Sequence, residues 1–212
     1  MTDATITKNP LLIGKGLPPF DEIKAEQVEP AITQLLKELS EGVSKLEENV
    51  TPTWSGLVEP LTKLEERLSW SWGIVGHLMS VKNSPELREA YEKMQPEIVK
   101  FYNQLSQSQS LYAAFKGIKE GSEWDGLEPA QQRIVESSIR DFELSGVGLE
   151  GEAKEKFNQI QLESAELSTK FSNNVLDATK ALGGKPSTSF LSVSFNLNAL
   201  VLMAQTAKAG GD

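Results

Sequence analysis

Residues 133–180 read RIVESSIRDFELSGVGLEGEAKEKFNQIQLESAELSTKFSNNVLDATK, two helical patterns joined by a glycine hinge. Ile134, Val135, Ile139 and Phe142 recur at three-to-four-residue spacing, the mark of one apolar helix face. Ser145-Gly146 and Gly148 break that pattern, because glycine accepts φ > 0 and commonly ends a helix. Val147 and Leu149 should turn this loop inward. A second helix is predicted from about Gly151-Glu152, with acids in its first turn to complement the helix dipole. Its stripe is Phe157, Ile160, Ser164, Leu167, Phe171, Val175 and Ala178, opposed by Lys154, Glu155, Glu163, Glu166 and Lys170. The reading is an amphipathic antiparallel hairpin of two helices.

Upstream, further amphipathic helices follow one another. The first covers about 24–49, with the stripe Val28, Ile32, Leu35, Leu39, Val43, Leu46, Val50 and with Pro30 near its start, where a missing N–H costs least. The second begins at 51–53 and reaches about 82, lined by Leu57, Leu61, Leu64, Leu68, Val75 and Leu78. Pro60 either kinks it or marks its true start. Ser84-Pro85 opens the third, a cap followed by proline at the first helical position, and its stripe is Leu87, Tyr91, Met94, Ile98, Phe101, Leu105. Pro96 predicts a bend there. A short fourth helix spans 110–119 and stops at Gly121. Trp124-Asp125-Gly126 is a turn, and Glu128-Pro129 starts the helix that enters the hinge. The fold class is therefore all-α, a multi-helix bundle of long amphipathic helices.

Three segments are expected: an extended lead-in over 1–19, a helical domain over 20–182 and a divergent tail over 183–212. In the lead-in, Leu11-Leu12-Ile13 forms an apolar plug that should dock on the helices. Gly14-Lys15-Gly16 lacks the spacing and the Ser/Thr of a phosphate loop, and no strand precedes it. In the tail, Gly183-Gly184-Lys185-Pro186 stops the long helix, 187–196 is strand-like or disordered, and a short helix is expected over 199–209.

Composition excludes several classes of function. With 212 residues the chain can bury one real core. It has no cysteine, which removes disulfides, thiolate metal sites and cysteine nucleophiles together. A formal charge of −9 repels phosphate backbones, so nucleic acid is not an expected partner. No apolar run approaches the ~20 residues of a membrane helix, so no membrane partner is expected either. Asp3 and the absence of arginine before Arg67 argue against a targeting peptide. The default location is the cytosol, an organelle staying open should a targeting segment be missing from this version.

Few residues suit chemistry. The single histidine, His77, lies on or beside the apolar face of the second helix and reads first as a packed or surface residue. One imidazole and no thiol would leave zinc to carboxylates almost alone, which suits it poorly. Acid pairs such as Glu47-Glu48, Glu65-Glu66 and Asp141/Glu143 read as solvated helix faces, since nothing in the pattern puts them in a dry pocket. No catalytic, metal-binding or cofactor-binding residue is assigned.

Six segments nevertheless occur together in one order: Asn9-Pro10-Leu11-Leu12; Leu17-Pro18-Pro19-Phe20-Asp21; Val28-Glu29-Pro30-Ala31-Ile32; Leu57-Val58-Glu59-Pro60-Leu61; Asn83-Ser84-Pro85-Glu86-Leu87-Arg88; and 167–179, LSTKFSNNVLDAT. In these the chain resembles the amino-terminal part of the thimet oligopeptidase/oligopeptidase A family of zinc metallopeptidases, most of all the oligopeptidase A branch of bacteria and of plant cytosol and organelles. The resemblance implies half of a nearly all-helical, two-lobed ellipsoid around a deep channel that admits short peptides. It also implies that zinc sits on an H-E-x-x-H helix and a downstream glutamate of the carboxy-terminal half, whose glutamate acts as general base. This sequence contains no H-E-x-x-H, so no catalytic or metal residue carries over. Cofactors are thus none in this chain, with zinc in the full-length family.

The expectation is a non-catalytic lobe, inactive alone, from a shortened gene product, splice form or gene model. Its tail departs from the family after Lys180. An interaction module is the alternative. It would bind short peptides along the exposed channel wall or pair with a full-length relative, with Trp70, Trp72, Tyr91 and Phe115 as the candidate surface. A third alternative is a non-functional product that is degraded.

Overall fold

The computed structural model describes residues 9–181. The expected strand-like stretch and short helix of the tail lie outside these residues, as do residues 1–8. Six α-helices and no strand occur among the described residues: α1 Val28–Glu48, α2 Glu59–Val81, α3 Pro85–Ser106, α4 Gln109–Glu120, α5 Pro129–Leu144 and α6 Gly151–Ala181. The chain divides into two units, Met1–Thr169 and Lys170–Asp212.

In the first unit, α1 packs on α2 and α3, and α4 packs on α5. The predicted stripes supply the core. Val28, Ile32, Leu35, Leu39 and Val43 of α1 are buried, as are Leu61, Leu68, Val75 and Leu78 of α2. From α3 come Leu87, Met94, Ile98, Phe101 and Leu105, with Tyr91 packed half-buried against them. Leu111, Phe115 and Ile118 of α4 meet Val135 and Phe142 of α5 in the same cluster.

Each helix starts where the local chemistry allows it. Ser84 caps α3 by accepting from Leu87 N–H at 3.2 Å, and Pro85 needs no partner for the N–H it lacks. Ser108 does the same for α4, accepting from Leu111 N–H at 3.2 Å. Pro60 marks a true start: it sits in the first turn of α2, and the residues before it, Trp54–Val58, form a π-helical turn. Thr53 caps that turn through its hydroxyl, accepting from Gly56 N–H at 3.0 Å. Pro96 lies inside α3.

From Asn9 onward the lead-in does not run free. Pro10–Leu12 is a 3-10 turn capped by Asn9, whose Oδ1 accepts from Leu11 N–H at 3.0 Å while Nδ2 donates to the Gln27 carbonyl at 2.8 Å. Leu11 is completely buried, and its carbonyl accepts from the buried Ser71 hydroxyl of α2. Only part of the expected plug docks, since Leu12 is half-buried and Ile13 is half-exposed.

The 133–180 stretch is where the expectation needs correcting. The hinge behaves as read: Gly146 takes φ +80° with its N–H on the Glu143 carbonyl, and Val147 turns in with its N–H on the Phe142 carbonyl. The pairing of α5 with α6 does not. Among the described residues α5 packs closely on α4, and α6 makes no comparable pairing with α5. The face of α6 that turns in matches the predicted one only at Phe157. Within 151–169 the more buried positions are Lys154, Phe157, Asn158, Leu162, Ala165 and Thr169, whereas Ile160 and Leu167 are 54% and 58% exposed. The physical reason is polar anchoring. Gln107 Nε2 donates to Asn158 Oδ1 at 2.8 Å, Gln95 Nε2 to the Ala165 carbonyl at 3.3 Å, and the Thr169 hydroxyl to Gln95 Oε1 at 2.9 Å. These bonds set the rotation of the helix, and hydrophobic periodicity does not register them. Ile134 on α5 is likewise 47% exposed, while Val135 and Phe142 are buried and Ile139 packs half-buried against the core.

Of the second unit, residues 170–181 are described, the end of α6, with Phe171 and Val175 exposed and the Thr179 hydroxyl bonded to the Val175 carbonyl.

Candidate functional site

The four aromatic residues singled out from sequence do not share one face. Trp70 and Trp72, two residues apart on α2, are separated by about 200° around the helix. Trp70 is held by the lead-in, its Nε1–H donating to the Gly16 carbonyl at 3.2 Å. Trp72 stacks on Tyr91 of α3, centroids 4.5 Å apart and planes at 12°, and both are half-buried. Phe115 is only 3% exposed and packs on Phe142 at 5.6 Å, so it is core rather than open surface. His77 is exposed, with its ring 5.5 Å from Phe20.

A cleft of about 480 Å³ opens within the first unit. Its apolar lining is Leu61 of α2, Leu105 of α3, Phe115 of α4, Phe142 of α5 and Phe157 of α6. Two carboxylates line it as well, Glu65 of α2 and Asp141 of α5, together with Tyr102 of α3. Glu65 has no hydrogen bond or ion pair among the described residues, and burial pushes its carboxyl above the ordinary carboxylate range. Tyr102 is pushed up to about 12, first by burial and then by the negative charge of Glu65.

The sequence pattern alone puts Glu65 with Glu66 on a solvated face. Half of that pair holds: Glu66 is exposed and Glu65 is not. The signal was present, since Glu65 follows Leu61 by four residues and precedes Leu68 by three, on the border of the apolar stripe.

Residues 32–154 match the family model described as Neurolysin/Thimet oligopeptidase, N-terminal domain. The chain belongs to this family. The helical lobe expected from six short segments is thus the family's amino-terminal domain. Among curated relatives, the probable cytosolic oligopeptidase A of Arabidopsis thaliana is 45% identical over 179 residues, 84% of this chain and 26% of its own length. The organellar oligopeptidase A, chloroplastic/mitochondrial, of the same plant is 44% identical over 85% of this chain and 23% of its own. The oligopeptidase A of Escherichia coli is 41% identical over 81% of this chain and 25% of its own. The chain therefore spans about a quarter of the length of the relatives it matches.

Among the described residues no three His, Cys, Asp or Glu side chains come together, and the one imidazole faces the Phe20 ring. Zinc favours nitrogen and sulfur donors in a closed or nearly closed set, and the described residues bring one imidazole and no thiol. Among the described residues no helix is long and apolar enough to cross a membrane.

Proposed function

We propose that this chain is the amino-terminal, non-catalytic lobe of an oligopeptidase A-like zinc metalloendopeptidase of short peptides, and that alone it does not cleave them. The observation that carries the reading is the family match over residues 32–154, joined to a sequence with a single histidine and no H-E-x-x-H. Its helices would wall one side of a peptide channel whose chemistry belongs to the rest of the enzyme. The cytosol is the proposed location, with an organelle as the alternative, since relatives of both descriptions match equally well. Incubating the purified chain with a quenched fluorescent peptide and zinc tests this: no metal-dependent cleavage is expected, and cleavage abolished by a chelator would overturn it.

A second reading, pairing with a full-length relative, is favoured by the apolar side chains left open on α6, Ile160 and Leu167. Co-purification of the chain with a tagged full-length oligopeptidase A supports it, and separate elution at micromolar concentration sinks it.

A further inference from the structure

We propose that the cleft between Glu65 and Asp141 is a binding site for the arginine or lysine side chain of a peptide, with Glu65 as its inner anchor. The inference concerns the lobe by itself and does not depend on any catalytic partner.

The first observation is that Glu65 sits half-buried with no hydrogen bond or ion pair among the described residues to answer its charge. A carboxylate taken partly out of water without a partner is destabilising, and the neighbouring Tyr102 ring makes the surroundings less polar still. What answers that deficit is a donor carrying positive charge. An anion would be repelled by Glu65, the one of the two carboxylates with no cation paired to it among the described residues. A neutral apolar ligand would strip more water from Glu65 and return nothing. A bare metal ion wants several oxygen donors, and among the described residues no third acid joins Glu65 and Asp141.

The second observation is the shape and lining. The walls at Phe142 and Phe157 are aromatic, and they suit the methylene stem of Arg or Lys while the charged head lies against the carboxylates. Asp141 stands at an exposed position on the rim, where its Oδ1 lies 3.6 Å from the exposed Arg140 guanidinium in a loose, solvent-screened pair that an incoming cation can share or displace. About 480 Å³ exceeds one side chain and falls within the ~300–1,000 Å³ of small-ligand sites, so flanking peptide backbone enters too. The side-chain amides of Asn103 and Gln161 border the cleft with no hydrogen bond of their own among the described residues, available to that backbone.

The experiment is an NMR titration of the 212-residue chain with acetyl-Gly-Arg-Gly-amide, and with the same peptide carrying neutral citrulline. Saturable shifts at the backbone amides of Glu65, Tyr102 and Asp141 are expected, with the citrulline peptide about five- to tenfold weaker, the scale of one partly desolvated ion pair. Glu65→Gln, which removes charge but not shape, should weaken the arginine peptide by a similar factor. Saturating peptide should also bring the Glu65 carboxyl back down in pH titration. No saturable shift, equal binding of citrulline, an unchanged affinity in Glu65→Gln, or shifts confined to another face each overturn the proposal. Should Glu65→Gln fail to fold, Asp141→Asn at the exposed rim decides: weaker binding of the arginine peptide supports the site, and unchanged binding overturns it.

Discussion

Gln107 and Asn158 are joined by a hydrogen bond of 2.8 Å from Nε2 to Oδ1, and the same Nε2 donates to the Ser145 carbonyl at 3.0 Å. One amide, 5% exposed at the end of α3, thus holds both the hinge after α5 and the first turns of α6. Replacing it with alanine leaves a carbonyl and an amide without a partner. Gln107→Ala should cost about 1–3 kcal/mol in urea unfolding, the penalty for orphaned buried polar groups. A loss under half a kcal/mol would mean that α6 is placed by other contacts.

Glu65 and Tyr102 make the pH dependence readable. The three tyrosines are Tyr91, Tyr102 and Tyr112, and all are held above the ordinary phenol value: Tyr91 by burial, Tyr112 first by its hydrogen bond to Glu143, and Tyr102, at about 12, by burial and then Glu65. A raised folded-state value means the native chain holds its proton where the unfolded chain has lost it. Stability is therefore full below pH 10 and falls as pH rises toward 12. Absorbance titration at alkaline pH should show the last phenol vanish in Tyr102→Phe, and in Glu65→Gln that phenol should titrate earlier because the negative charge beside it is gone. Glu65 carries the same sign at acid pH: its raised carboxyl contributes stability at low pH that fades as the solution rises past the carboxylate range.

How much of this was visible beforehand differs from helix to helix. Stripes of leucine, isoleucine and valine placed α1 to α3 almost residue for residue, because burial of those side chains is what fixes the helices there. Ser84-Pro85 and Gly146 were legible for the same reason: a cap and a positive φ are demands of the local backbone. Gln107 and Gln95 were not. A glutamine in a sequence reads as solvent-facing until a partner far along the chain claims it, and Asn158 and Thr169 are those partners. The rotation of α6 followed from them and so escaped periodicity. The cleft escaped for a related reason, since Glu65 looks like Glu66 until helices from elsewhere close over one and not the other.

Gly56 is required for a different reason. It sits in the π-helical turn before α2, and a Cβ placed on it would lie 2.3 Å from the Thr51 hydroxyl oxygen and 2.7 Å from that of Thr53. Thr53 is the cap of this turn, so it cannot rotate away without surrendering its bond to Gly56 N–H. Gly56→Ala should destabilise by about 1–3 kcal/mol in thermal or urea unfolding, as overpacking does elsewhere. Alanine would otherwise favour a helix, so a stabilised variant would show that the turn has room to relax.

The lead-in should behave as part of the domain. Leu11 is wholly buried, and its carbonyl answers a buried serine hydroxyl on α2. Leu11→Ala should therefore cost about 2–5 kcal/mol, the range for a leucine removed from a packed core. Leu17, a few residues on, is 95% exposed, and Leu17→Ala should stay within about 0.5 kcal/mol of the parent. Equal effects at the two positions would mean that the segment does not dock as a capped turn.

The open side chains of α6 separate stability from association. Ile160 and Leu167 contribute little to burial in this chain, so Ile160→Lys with Leu167→Glu should leave its unfolding free energy within about 1 kcal/mol of the parent, two surface changes of about 0.5 each. If that face docks on another polypeptide, as pairing with a full-length relative requires, the same double variant should lose co-purification while keeping its fold. The contrast is what makes the test decisive: a core position loses both, a bare surface position loses neither, and an interface loses association alone. Charges at 160 and 167 that unfold the chain would instead show this face buried within the lobe, against the rotation set by Gln107 and Gln95.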